Sequence, residues 1–428
     1  MSDAVSRRVF LVTLGVLAAA SSFAAGVHFA NEKPWLYRTL ARDGALLADA
    51  WRLDGFTPKH AVNPAPEGGT REPWHARVPE ALKPGYRALT GYIPHANAFG
   101  VWILDAQGRK VHERILSYES LDPDGPSGGS ESPHASLFLP DGTVIVNVDK
   151  GDAIARYDTC GEPIWSREGA FHHSLAPDPE GGVWTWQGDV STFDQYHTLI
   201  RFDPHTGDTL ETIELFEDII DASPESRAIF SLAPDQELER YRGARAIPDL
   251  FHPNDLEVLH PDRAGAFTQF EAGDLLLSFR SLDLVSVVDR ESHATKWWSH
   301  GPWRRQHDPD FLPDGRISVF DNDTGSGTSN IVTIDPTTRA LAILDIEPDY
   351  RFYTRFMGKH EWLDGETVQI TVPYEGRVLE VDADGHVLLE INNVYDEEHN
   401  ALVSDAAYLA PDFFTTPPER FACDGLSS

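Results

Sequence analysis

Histidine recurs in this chain at one place in a repeated phrase. His134-Ala-Ser-Leu-Phe-Leu-Pro-Asp-Gly142, His173-Ser-Leu-Ala-Pro-Asp-Pro-Glu-Gly181 and His307-Asp-Pro-Asp-Phe-Leu-Pro-Asp-Gly315 keep the same step from histidine to glycine. His252 opens a further copy with an insertion before Gly273, and His360 opens one shortened before Gly365. An imidazole serves as a nucleophile, as an acid or base near neutral pH, or as a metal ligand. A single strand histidine is more often a hydrogen-bonding cap on its neighbour, but several in register point to one shared place in the fold. Two copies carry more than the histidine. His252-Pro253-Asn254-Asp255 is followed by Leu275-Leu276-Leu277-Ser278-Phe279-Arg280-Ser281, and Gln306-His307-Asp308 by Val319-Phe320-Asp321-Asn322. Arg280 offers a permanent planar cation, although a surface arginine or an ion pair between sheets is its plainer reading.

The elements that must position these residues are short strands. From about Tyr86 the chain alternates apolar and polar residues over short runs broken by tight turns. Each histidine phrase makes an inner pair of strands. An outer pair follows it: an apolar strand ending in Asp, a turn of the type Asp-x-x-Gly or Asp-Pro-x-Thr-Gly, and a strand that often carries Trp. Outer pairs occur at Val101–Gly108, Ile154–Gly161 leading to Trp165, Leu199–Gly207, Val285–Trp297, Ile331–Ile343 and Val378–Val387. The first of them lacks its inner strands, and Ala401–Leu409 can supply part of what is missing. A propeller closes in this way, with the two chain ends completing one blade and removing an exposed edge. The expected fold is therefore all-β, a six-bladed β-propeller over residues 86–428, with a short helical insertion between Phe216 and Pro248 that includes Glu237–Arg245. The first strand of each blade lines the axis, so the histidines would converge on one end of the channel.

The N-terminus reads as an export signal or membrane anchor over residues 1–30. Ser6-Arg7-Arg8-Val9-Phe10-Leu11 matches a twin-arginine leader, and the apolar run over residues 9–30 is long enough to span a bilayer if it is not cleaved. Its positive end would stay in the cytoplasm, placing the rest in the periplasm or otherwise outside the cytoplasm. Residues 31–85 read as an amphipathic helix, Trp35 to Trp51, followed by a linker rich in proline and charge. With 35 Lys+Arg against 68 Asp+Glu, a net charge of −33, the chain repels phosphate backbones, so nucleic acid is not an expected partner. Cys160 and Cys423 form no zinc-binding pattern. They are expected to be free, with one disulfide left open as the alternative in an oxidising compartment.

At these residues the chain resembles the arylsulfotransferase (arylsulfate sulfotransferase) family of exported propellers. The likeness is carried by Gly100–His112, His172-His173, His252-Pro-Asn254, Ser-Phe-Arg280-Ser, Gln306-His307-Asp308, Met357-Gly358 and Ser404-Asp405-Ala406, and it extends from about Tyr86 to Phe413. It implies transfer of a sulfuryl group from an aryl sulfate to a phenol, without a nucleotide donor, cofactor or metal. His307 would be the nucleophile, and His173 (or His172), His252, Asn254 and Arg280 would hold the sulfate oxygens. His134 and His360 would complete or shape the channel. The chemistry agrees independently. A sulfuryl group in flight spreads negative charge over its oxygens and calls for donors and a fixed cation. A neutral imidazole gives a labile covalent intermediate, and a second histidine can protonate the departing phenolate. Two other functions fit the same pattern. Converging histidines with Asp255, Asp308 and Glu361 nearby could hold a divalent metal for hydrolysis. A non-catalytic propeller at the cell envelope could use its face to bind a protein or glycan. A quinoprotein dehydrogenase fits less well, because its repeated Trp docking motifs do not appear in this form.

Overall fold

The protein is described here by a computed structural model covering residues 61–117, 132–149, 153–188, 197–230, 251–421 and 423. The leader or anchor expected over residues 1–30, the helix expected from Trp35 to Trp51 and the helical stretch expected over Glu237–Arg245 all fall outside the described residues. Among the described residues no helix is long and apolar enough to cross a membrane.

Alternating strands with tight glycine turns fold into six antiparallel sheets, one per blade. Their innermost strands are Val403–Leu409 (blade 1), Ser132–Phe138 (blade 2), Phe171–Pro177 (blade 3), Pro253–Val258 (blade 4), His307–Phe311 (blade 5) and Lys359–Trp362 (blade 6). Each touches the next, and the sixth touches the first, so they ring the axis. The outer pairs fall where the turn chemistry puts them; in blade 2 they are Ala153–Tyr157 and Pro163–Glu168. Closure also follows the expected route. Val403–Leu409 pairs with Tyr86–Ile93 in a register running from Val403 opposite Gly91 to Leu409 opposite Tyr86. One blade thus joins the two ends of the propeller and leaves no open edge at the seam.

Apolar strand faces meet between blades. Trp184 and Trp186 of blade 3, both fully buried, pack with Leu256, Leu277 and Phe279 of blade 4. Against the same cluster lie Leu215–Ile220, a single wide helical turn of π type, and the α-helix Pro224–Ile229. Ser223 caps that helix, its Oγ accepting the Ser226 N–H at 3.0 Å. These are the described part of the helical insertion.

Two expectations are corrected. The segment read as a linker carries strands once it reaches Val62. Val62–Pro64 pairs with His399–Ala401, and Trp74–Ala76 adds a fifth strand to the outer edge of blade 6 opposite Leu389–Ile391. Its prolines and charges hid strands of three residues, whose apolar Trp74 and Ala76 pack on Leu389 and Ile391. The cysteines are also not free: Cys160 and Cys423 form a disulfide, with Cα atoms 5.4 Å apart. The C-terminal segment returns to blades 1 and 2, where Phe414 and Phe421 join the apolar cluster around Phe138 and Val144. Phe421 sits so close to Gly142 (φ +88°) that a Cβ there would meet its ring at 2.5 Å. That packing brings together sulfurs separated by 263 residues of sequence.

Candidate functional site

The innermost strands are regular except where they reach one end of the channel. There the pairing register breaks at His134, within His172–Ala176, at Asn254, within His307–Asp310 and at Ser404. His173, His252 and Asp308 adopt left-handed backbone conformations, with φ of 64°, 46° and 52°. Bulges of this kind re-aim a side chain and are common beside active sites. Here they turn consecutive residues toward the axis. A cavity of about 260 Å³, open mouth included, is lined by His134, His173, Asn254, Asp255, His307, Asp308, Met357, Gly358, Lys359 and Ser404.

Four histidines meet there. The His173 ring lies 4.2 Å from that of His134, 5.2 Å from that of His252 and 6.2 Å from that of His307, between centroids. His172 stands behind, its Nδ1 2.7 Å from Nδ1 of His173. Burial, then the neighbouring histidines, hold the pKa values of His172 and His173 well below that of ordinary imidazole. Both are therefore neutral at pH 7, and one Nδ1–H donates to the other Nδ1. The buried Nε2 of His172 has no partner among the described residues, and an orphaned lone pair costs less than an orphaned N–H. The network thus assigns the Nδ1 proton to His172 and leaves His173 with an Nε2–H.

His307 is held differently. Its Nδ1 lies 2.6 Å from Oδ1 of Asn322, whose Nδ2 donates to the carbonyls of Thr354 (3.0 Å) and Met357 (2.8 Å). With its amide nitrogen committed twice, Asn322 can only accept from His307. The proton is on Nδ1, and Nε2 keeps its lone pair for the cavity. Burial and then the Arg280 guanidinium push the His307 pKa well below the ordinary value, so the ring is neutral. Gly358 (φ +106°) lets the Met357 turn lie against Phe320, where a Cβ would come within 2.5 Å of the ring.

Asn254 is anchored through its amide. Its Nδ2 donates to the Gln306 carbonyl at 2.6 Å, while Gln306 is itself tied to Ser278 Oγ (2.9 Å) and the Leu284 carbonyl (3.0 Å). Oδ1 of Asn254 has no partner among the described residues. The amide thus offers an acceptor beside its second N–H, the donor expected to meet sulfate oxygens.

Below the histidines lies a layer of opposite character. Asp255, Asp308 and Asp405 surround Lys359, with Glu257, Asp310 and Glu361 beyond them on alternate residues of the same strands. The Asp308 carboxylate lies 3.8 Å from Lys359 Nζ and accepts the His360 N–H at 2.5 Å. His360 is therefore not in the upper ring. Its Nδ1 faces Asp308 at 3.2 Å and its Nε2 faces Ser318 Oγ at 2.7 Å. Burial opposes the Lys359 charge, but Asp405, Asp308, Asp255 and Asp310 outweigh it and keep its pKa above the ordinary lysine value. Burial, then Asp308, raises the Asp255 pKa well above the carboxylate range. Burial alone is the leading cause for Glu257 and Glu361, each raised to about 7.

The structure thus unites His134, His173, His252, Asn254 and His307, sets Arg280 within electrostatic reach of His307, and puts His172 and His360 outside the ring. Sequence reasoning passed over Asn322 as an orienting group and Lys359 as a site cation. Both sit at strand ends adjoining quoted motifs, with no signal of their own.

In sequence, the family description arylsulfotransferase (ASST) matches residues 135–394, more than half of the chain. The chain belongs to the arylsulfotransferase family. The match spans blades 2 to 6, and with them His173, Asn254, Arg280 and His307. No curated protein matches the chain. Likeness to solved structures is weak. A protein of unknown function from Bacteroides caccae has a TM-score of 0.49 at 11% identity, over 76% of this chain and 98% of the other. Kuenenia stuttgartiensis hydrazine synthase has 0.41 at 14%, over 67% and 71%. Virginiamycin B lyase from Staphylococcus aureus has 0.36 at 9%, over 71% and 73%.

Proposed function

We propose that this arylsulfotransferase-family propeller moves a sulfuryl group from an aryl sulfate to a phenol through a sulfo-histidine at His307. The observation that carries the reading is the Asn322–His307 pair, which holds a neutral imidazole with its Nε2 lone pair toward the cavity. Nε2 attacks sulfur and the bond from sulfur to the aryl oxygen breaks, its electron pair leaving on the phenolate. In the second half a phenol oxygen attacks the same sulfur, the N–S bond breaks, and the lone pair returns to Nε2. Arg280 and the Nε2–H of His173 face the sulfuryl oxygens as charge builds on them.

The acid is better supplied by Asp255 than by a second histidine. A neutral imidazole is a very weak acid, whereas burial and the neighbouring Asp308 raise the Asp255 pKa well above the ordinary carboxylate value and so favour its protonated form. Asp255 lines the cavity with His307. It would protonate the departing phenolate and take the proton of the incoming phenol. Asn254 Oδ1 would accept that phenol's hydrogen bond. The reading includes export. The Ser6-Arg7-Arg8 leader motif supports it, as does the Cys160–Cys423 bond, which requires an oxidising compartment.

A chromogenic aryl sulfate assayed with and without a phenol tests the proposal. Release should depend on the acceptor, mass spectrometry should find a sulfo adduct on His307, and His307→Ala should lose more than about 10³-fold in rate. Undiminished turnover by that variant would sink the assignment. A second reading rests on Asp308, Asp310 and His360, whose ligand atoms lie within 4.8 Å of one another and could hold a divalent metal. Stoichiometric metal after purification without chelators, with activity lost on its removal, would favour that reading.

A further inference from the structure

Arginines gather beside the mouth of the cavity in a chain of net charge −33. Phe356, 38% exposed, lies immediately before the Met357-Gly358 turn of the cavity wall. The Arg280 guanidinium carbon is 5.1 Å from the centre of its ring and that of Arg355 is 5.0 Å. One ring therefore holds two guanidinium groups, whose carbons are no more than about 10 Å apart. Arg280 is the inner one, close enough to depress the His307 pKa. Arg355 is the outer one, on the exposed surface.

Two more arginines stand at the same end. Arg304 and Arg305, both exposed, immediately precede Gln306-His307. Arg305 reaches toward Ser281 Oγ at 3.5 Å, beside Arg280. The nearby carboxylates bind backbone N–H groups rather than the guanidinium groups. Asp321 accepts the backbone N–H of Arg304 at 2.8 Å and that of Asp323 at 2.9 Å, and Asp283 accepts the backbone N–H of Arg305 at 2.7 Å. Among the described residues no carboxylate pairs with the guanidinium of Arg304, Arg305 or Arg355, whereas Arg77, Arg87, Arg201, Arg290 and Arg377 all have carboxylate partners.

A neutral aryl group would need none of this. Guanidinium planes stack on aromatic rings and bind carboxylates in a forked geometry. Local cations also overcome the repulsion a strongly acidic protein exerts on a dianion. We propose that Arg355 is a second anion subsite and that the substrates are aryl sulfates and phenols bearing another negative group at the far end of the ring, such as a para carboxylate. Arg280 meets the sulfuryl end, the aryl ring lies along the edge of Phe356, and Arg355 meets the distal anion. The inference rests on the sulfuryl-transfer reading for its substrate, though the subsite is testable without turnover.

Two measurements decide it. In the wild type, kcat/KM for 4-carboxyphenyl sulfate should exceed that for the neutral 4-carbamoylphenyl sulfate, whose leaving group is of similar basicity, and Arg355→Gln should lower this ratio about tenfold. Arg355→Lys should fall between, and raised salt should shrink the advantage. A ratio unchanged in Arg355→Gln would overturn the subsite. Calorimetry with 4-carboxyphenyl sulfate and phenyl sulfate reads binding alone. If neither ester is turned over, the sulfuryl-transfer reading fails. A binding preference for the carboxylated ester that Arg355→Gln abolishes still upholds the subsite, and equal binding of the two esters overturns it.

Discussion

His307 and Asp308 are neighbours in the chain, yet they belong to two different layers of the channel. His307 joins an upper ring of imidazoles with Arg280 at its side; Asp308 joins a lower layer of carboxylates around Lys359. A regular strand would send such neighbours to opposite faces, and only one of them would meet the axis. The bulge at this strand, with Asp308 in a left-handed conformation, lets both face it. The same device acts at Asn254-Asp255. On the proposed reading the upper layer meets a developing anion with donors and a lone pair, and the lower one gives and takes up the proton. Their burial is similar. It acts on both by disfavouring charge, lowering the pKa values of His172, His173 and His307 and raising those of Asp255, Asp310, Glu257 and Glu361, while His360 and Lys359 hold Asp308 below the ordinary carboxylate value in spite of its burial.

The comparison can be broken at several points. The largest effect is expected at Asp255→Asn, which keeps the shape and removes the acid. Aryl sulfates with poor leaving groups should slow by about 10²–10⁴-fold, and 4-nitrophenyl sulfate, whose phenolate needs little help, far less. Equal slowing across a series of leaving groups would remove Asp255 from proton transfer. Next is Asn322→Leu, which leaves His307 free to place its proton on either nitrogen. A fall in kcat of about 10²-fold with KM little changed is expected, and a loss confined to KM would mean that Asn322 acts on binding instead.

The lower layer should answer in stability. Lys359→Met leaves carboxylates facing one another and should cost about 3 kcal/mol at pH 7 in urea denaturation, with a smaller loss near pH 5 where the carboxyls hold protons. A cost that does not vary with pH would show that Lys359 is not what neutralises the layer.

The smallest expected effect is the pH dependence of the urea midpoint, where the two layers pull in opposite directions. His172, His173 and His307 have folded pKa values below 6.5, so their contribution is complete above that pH and is lost as pH falls through it. Glu257 and Glu361 have folded values raised from 4.5 to about 7, so theirs is complete below 4.5 and is lost as pH rises toward 7. The double variant Glu257→Gln, Glu361→Gln should remove the loss on the alkaline side alone. If it instead flattens the acid side, the layers have been assigned the wrong way round.

Much of this molecule is legible without coordinates, because a propeller repeats its instructions. The turn glycines, the Asp-ended outer strands and the recurring histidines specify six blades and their closure by Ala401–Leu409, since each rests on spacing within a few residues. The convergence of His134, His173, His252 and His307 follows once the blades are counted. What the tertiary structure alone decided depends on neighbours far apart in sequence. Cys160 meets Cys423 because Phe414 and Phe421 pack onto blades 1 and 2. Trp74 is a blade strand because blade 6 offers an edge. His360 drops out of the ring and Asn254 commits one amide N–H because Asp308 and the Gln306 carbonyl, each from blade 5, stand within hydrogen-bonding distance. Whether His307 has a free Nε2 depends on an asparagine amide already committed to two carbonyls. Spacing along the chain specifies strands and the axis they share. Protonation, tautomer and pairing are set by burial and by the partner across the channel.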